Sequence, residues 1–221
     1  SLRPINDQIT HTRVTNAIFP STFVIPLSET MTITQIHVPV DDTKNYWYAI
    51  FTSFDAPVDK EVMRNQRLEA VTLPDYIPKS GAHNNWGFSA DEQQSRTYLG
   101  MGESDINVHD QWACESMGAI QDRTREHLGT TDKVIMANRR NLIKAIETVQ
   151  AGGTPPGVAD SEIAAHRMGP DTVDGLAPTG GTEAWWRHAV QAKRDNAPWD
   201  AALKPVAEPL AAEYSPHEEA S

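Results

Sequence analysis

The sequence predicts an α+β fold: an antiparallel β-sheet covered by helices, followed by an extended C-terminal tail. Three observations carry this expectation. Residues 11–54 are rich in Val, Ile, Thr, Tyr and Phe with partial period-two alternation. Residues 107–150 carry helical periodicity and capping residues instead. Beyond Gly153 the chain becomes rich in Ala, Pro and acidic residues.

Taken in order, "HTRVTNAIF", "STFVIPL", "MTITQIHVPV" and "NYWYAIFTSF" read as three or four successive strands. Breaks fall at Pro20, at "PLSE" and at "VDDTKN". The run Asp41 to Asn45 is turn chemistry, because Asp and Asn accept turn geometry. Such a meander needs one face covered. "VDKEVMRNQRLEAV" predicts a short helix, and the stretch from Pro74 to Ser104 predicts a long ordered loop. Asp105 or Asn107 is placed to cap a helix through Met117. "IQDRTREHL" predicts another, ending at Gly129. Thr130, Thr131 or Asp132 then caps "KVIMANRRNLIKAIETVQ", with Val134, Ile135, Leu142, Ile143 and Ile146 as its apolar stripe. "GGTPPG" reads as a linker, dividing the chain into residues 1–153 and a tail, 154–221. Its amphipathic piece "EAWWRHAVQAKRDNAPW" is expected to pack on the body through Trp185, Trp186 and Trp199.

Composition narrows the function classes. The 221 residues suit one core plus a tail. A formal net charge of -11 disfavours a nucleic-acid partner, which needs clustered cationic charge. No apolar run reaches the roughly 18 residues a spanning helix requires, so no membrane role is expected. The first residues also lack a leader pattern. The single cysteine, Cys114, fits a reducing cytoplasm and excludes a cysteine-rich metal site built from this chain alone. Ser1 has no methionine before it and strand-like sequence begins almost at once, which suggests a piece of a longer polypeptide.

Chemistry-bearing residues concentrate between His109 and Asp132. None of the eight histidines has the i, i+4 spacing of a helical metal pair. Asp122, Arg123 and Glu126 have ion-pair spacing, with Arg139 and Arg140 as candidate tertiary partners for a structural salt-bridge network. Asp110 precedes the run from Trp112 to Met117 and has no basic residue within four positions on its C-terminal side. It reads either as an N-cap carboxylate or as a hard anionic ligand presented to a metal, with Asp122 next in line.

The segment "HDQWACESMGAIQDRTREHLGTTDKVIMANRRNLIKAI" resembles the C-terminal catalytic segment of Rieske non-haem iron oxygenases. The likeness is to oxygenase components of the phthalate 4,5-dioxygenase and dehydrodivanillate O-demethylase type, and it extends over about residues 8–150. It implies a helix-grip catalytic domain with mononuclear Fe(II) held by two histidines and one carboxylate, here Asp110. Met117 and Gly118 would then pack closely beneath the site. Asn16, Ile18, Phe23 and Ile36 would line the pocket of an aromatic substrate. Electrons from NAD(P)H would arrive through a reductase or ferredoxin and a [2Fe-2S] Rieske cluster, in a trimer or hexamer. The cluster's cysteine motifs and the two iron histidines of that family have no match here, so an N-terminal Rieske segment or chain is expected to supply them. Two rival readings are a non-enzymatic helix-grip domain that binds an apolar ligand and an accessory subunit of an oxygenase.

Overall fold

The computed structural model describes residues 1–102, 107–156 and 171–199. It has mixed helix and antiparallel sheet, an α+β composition, divided between two compact units. Among the described residues no helix is long and apolar enough to cross a membrane.

The first unit comprises residues 1–39, 45–57 and 130–221. Strands β1 (Leu2–Pro4) and β2 (Ile9–Val14) pair antiparallel, and a second pairing joins β2 to β9 (Val173–Pro178). A separate sheet has the order β3-β4-β5-β6, formed by Asn16–Ile18, Thr22–Pro26, Met31–Pro39 and Asn45–Ser53. The expected meander is therefore present, with one correction. The run read as a single strand, "HTRVTNAIF", is split at Thr15, and its halves join different sheets.

The core of this unit is small and rich in threonine. Val24, Thr12, Thr32, Thr172 and Pro26 are its largest fully buried side chains. Threonine suits this position because its β-branched body packs in a strand while its hydroxyl bonds the backbone or another hydroxyl. Thr172 donates to the Val14 carbonyl. Thr10 and Thr179 share a hydroxyl–hydroxyl bond of 2.9 Å.

Strand β9 escapes a sequence reading because "VDGLAP" is short and carries Gly and Pro, both depleted in strands. Its glycine has a packing reason. A Cβ on Gly175 would stand 2.9 Å from the Trp185 ring, carried by helix α5 (Thr182–Asp195). Beyond α5, the Trp199 indole donates to the Ser53 carbonyl at 2.7 Å and its ring lies 5.3 Å from that of Phe54. Lys193 covers the other contact of Phe54, its Nζ 4.5 Å from the ring centroid. Burial pushes the Lys193 ammonium below its ordinary value, against the pull of Asp171. Trp186 carries the guanidinium of Arg187 over its ring.

Helix α4 (Lys133–Gln150) forms where its periodicity places it. Asp132 sits at its N-cap without a side-chain capping bond. Its apolar stripe is left open: Val134, Ile135, Ile143 and Ile146 are 46–69% exposed, and Ala145 alone in the helix is buried.

The second unit comprises residues 40–44 and 58–129. Asp59 caps α1 (Lys60–Glu69) through the amides of Glu61 and Val62. A hairpin of two-residue strands follows, β7 (Val71–Thr72) with β8 (Ile77–Pro78). The predicted long loop is packed by its own polar groups. It contains a 3-10 turn over Ala82–Gly87 and α2 (Ala90–Ser95), capped by Ser89. Glu92 gathers the following bend, accepting from the Thr97 hydroxyl and the Gly102 amide. Gly100 is required there: its φ is +70°, and a Cβ would come within 2.7 Å of the Ser89 carbonyl.

Replacing Gly175 with Ala is expected to destabilise the first unit by about 1–3 kcal/mol through overpacking against Trp185. The check is a denaturant midpoint together with tryptophan emission; an unchanged midpoint would remove the packing account of this glycine.

Candidate functional site

Helix α3 (Asn107–Glu115) carries the segment singled out by the sequence. Asp110 is its fourth residue, in the first turn, and its side chain is exposed. The N-cap reading is thereby corrected: Asp110 lies inside the helix, Asn107 is its first residue, and residue Asp105 lies outside the described residues. A carboxylate in the first turn is stabilised by the positive end of the helix dipole. Cys114, one turn on, feels it. Its thiol is pushed up first by burial, then by the Asp110 and Glu115 carboxylates.

The adjacent flank of α3 is fastened to the loop before it. Trp86 is buried at 8% exposure, and its indole N–H donates to Glu115 Oε2 at 2.8 Å. Gln111 Nε2 donates to the Ser80 carbonyl at 2.7 Å and to Glu115 Oε1 at 3.1 Å. This contact has a backbone cost. Asn85 and Trp86 have φ of +50° and +52°, a left-handed conformation that a bulky aromatic residue rarely adopts. Neither residue was marked by sequence reasoning. The signal available was "NNWG", since Asn and Gly are the residues that tolerate this region. His109 was also passed over; both of its ring nitrogens are buried without a hydrogen-bond partner.

After α3 the chain departs from expectation twice. "IQDRTREHL" forms only a 3-10 turn, Arg123–Arg125. Asp122 Oδ1 takes the Thr124 amide at 3.0 Å and its hydroxyl at 2.6 Å, and this local bonding competes with helix propagation. The same bonds, the hydroxyl's first, hold the Asp122 carboxyl below its ordinary value. Met117 and Gly118 are not closely packed. Met117 is 51% exposed, and a Cβ on Gly118 would meet nothing within 4 Å. Gly118 answers instead to its φ of +93°. Of the expected salt-bridge set, Arg123 and Glu126 stand 3.7 Å apart, while Arg139 and Arg140 lie on α4 of the first unit.

The four candidate pocket residues belong to the β3-β4-β5-β6 sheet, but they do not share a face. Directly paired residues project to the same side of a sheet. The pairs Asn16↔Val24, Ile18↔Thr22, Thr22↔Ile36 and Ile36↔Tyr48 place Asn16, Ile18 and Ile36 together. On that face Ile18, Val38, Tyr46, Tyr48 and Ile50 are 41–54% exposed. Asn16 itself donates to the Asp171 carbonyl. Phe23, paired with Gln35, faces the other way. There it meets His37 edge-on at 5.9 Å, and His37 stacks on Trp47 at 5.4 Å.

Asp110 suits one ligand position of a ferrous ion, being a hard, exposed carboxylate. Among the described residues no group of three or more His, Cys, Asp or Glu side chains could hold a metal ion. The described residues therefore offer no complete ligand set.

Comparison with known proteins places the chain. Residues 2–203 match the family described as LigXa C-terminal domain like, and the chain belongs to that family. It is 28% identical over 178 residues to the 3-chlorobenzoate-3,4-dioxygenase oxygenase subunit of Comamonas testosteroni, covering 72% of this chain and 41% of that protein. It is 26% identical over 167 residues to the phthalate 4,5-dioxygenase oxygenase subunit of Pseudomonas putida, covering 73% and 38%. The chain thus spans about two fifths of the length of the curated relatives it matches. The resemblance to Rieske-type oxygenase catalytic domains, read from the segment around ESMG and EHLG, stands on these matches.

Burial holds the His37 imidazole below its ordinary value, with a bond to Asn45 opposing the shift. The unfolded chain therefore binds a proton first as pH falls. Stability from this group is complete above about pH 6.5 and is lost as pH drops through the lowered folded value. A His37→Gln variant is expected to show a flatter stability–pH profile below pH 6.5 than the parent chain. Thermal melts across that range test this, and identical slopes would dismiss it.

Proposed function

We propose that this chain is the C-terminal catalytic part of the oxygenase component of a Rieske-type non-haem iron oxygenase acting on an aromatic, carboxylated substrate. The observation that carries the reading is Asp110, exposed in the first turn of α3, within the span matched to the family. Both relatives are named for aromatic carboxylates, which supports the substrate class. Asp110 contributes the carboxylate ligand, and its partner histidines and the [2Fe-2S] cluster come from an N-terminal Rieske segment or chain. When bound, the mononuclear Fe(II) supplies O2 activation, using electrons passed from NAD(P)H by a reductase or ferredoxin. The outcome is ring dihydroxylation or O-demethylation, in a cytoplasmic trimer or hexamer.

The exposed apolar surface supports the same reading. Ile18, Val38, Tyr46, Tyr48 and Ile50 lie exposed on one sheet face, and β6 stands at the sheet edge among the described residues. An open apolar face of this kind marks a surface that binds something. In a helix-grip domain it would lie towards the substrate cavity, with Asn16 and Ile36 as further candidates on the same face, while Phe23 projects from the other one. A non-enzymatic domain that binds an apolar ligand would use the same face without needing Asp110.

In the complete oxygenase subunit, Asp110→Ala is expected to lose its mononuclear iron and product formation while keeping the visible spectrum of the Rieske cluster. Metal analysis and product assay decide this. A full iron complement in that variant overturns Asp110 as ligand, and aromatic binding unaffected by the change turns the reading towards the binding module.

A further inference from the structure

Trp86 occupies a conformation that needs an explanation. Two consecutive non-glycine residues, Asn85 and Trp86, take positive φ, and the second is a buried indole. Such backbone persists only where surrounding contacts over-determine it. Those contacts are identifiable. The indole N–H reaches Glu115 Oε2 at 2.8 Å, and Gln111 ties the other Glu115 oxygen to the same network while holding the Ser80 carbonyl. Gly81 and Asn84 brace the turn from below, the Asn84 side chain accepting from the Gly81 amide and donating to the Lys79 carbonyl. The 3-10 turn over Ala82–Gly87 and α3 are in direct contact.

The fastened residues are placed to control rotation of the helix about its own axis. Gln111 and Glu115 are four apart and share a face, while Asp110 and Cys114 share the neighbouring one. The latch thus grips α3 beside the proposed ligand rather than through it. A roll of about 20° would carry a carboxylate about 5 Å from the helix axis through about 2 Å. That exceeds the roughly 0.5 Å within which a metal-binding side chain has to be held.

We propose that Trp86 is a positioning residue: its hydrogen bond to Glu115 fixes the roll of α3 and so the direction of the Asp110 carboxylate. The proposal rests on the reading of Asp110 as an iron ligand. It differs from a general stabilising role, because the quantity it controls is the orientation of one side chain.

The test uses the complete oxygenase subunit with its iron and cluster, carrying Trp86→Phe, Glu115→Leu or Asp110→Ala. Trp86→Phe keeps an aromatic ring and removes the donor; Glu115→Leu keeps much of the bulk and removes both acceptor oxygens. Both are expected to fold and assemble, to lose Fe(II) about 10-fold faster than the parent, and to change the rhombicity of the ferrous–nitrosyl paramagnetic resonance spectrum. Hydrogen exchange over residues 111–115 is expected to quicken in parallel. If the folded variants keep the parental nitrosyl spectrum and iron retention while only the melting temperature falls, the latch is structural and the proposal is overturned. Should Trp86→Phe fail to fold, Glu115→Leu carries the same test alone. Iron retained in Asp110→Ala overturns the ligand reading and the proposal with it. Iron lost there, with parental spectra in the other two, overturns the latch only.

Discussion

The first unit depends on the ladder between β2 and β9, which joins residues 9–14 to residues 173–178. A contact such as His11 to Asp174 spans 163 positions, and closing a loop of that size costs about 4–5 kcal/mol before any constant. Six paired positions and their side chains offset this. His11 and Arg13 flank Asp174 at 2.5 and 3.6 Å, and the buried hydroxyls of Thr10, Thr12 and Thr172 find oxygen partners along the seam. Once the ladder is made, α5 has a strand to pack on, Gly175 admits Trp185, and Trp199 can reach Ser53. The start and end of the described chain are thereby built into one unit.

How much of this could be read from the residues follows from where each signal resides. The meander from β3 to β6 was legible because β-branched and aromatic residues alternate between turn residues. Helix α4 was legible from its apolar periodicity and its cap candidates, and α1 lies within the run expected as a short helix. Strand β9 was not, because its pairing is decided by a partner far away and its own six residues are weak strand formers. The helix expected after Gly118 failed through a local contest, in which the Asp122 side chain captured Thr124. At the candidate site, Asp110 was legible only through resemblance. By spacing alone it read first as a cap. Trp86 and Glu115 were invisible, since a bond across 29 positions leaves no periodic trace.

The unburied apolar surface is informative for the same reason. A helix with a clear stripe and a sheet with tyrosine and isoleucine on one face normally bury both. Here α4 shows Val134, Ile135, Ile143 and Ile146, and the sheet shows Ile18, Val38, Tyr46, Tyr48 and Ile50. Patterns of this strength left open on the surface are of the kind that bind another surface or a ligand. The elements themselves form without that contact, because capping, cross-strand pairs and turn chemistry are local.

That division between local formation and non-local cover bears on what a single carboxylate can do. A ligand on a freely rolling helix would meet its metal in many geometries, and most would be unproductive. The loop before α3 removes this freedom with side chains rather than with a hydrophobic core: Glu92 closes its bend, Asn84 braces the turn, and Trp86 accepts a strained backbone to reach Glu115. Strain kept at one point in an otherwise well-bonded loop is the pattern expected where orientation matters more than stability. The chain thus commits conformational energy to the flank of α3 that bears no proposed ligand, and in doing so defines where the other flank, with Asp110, is directed.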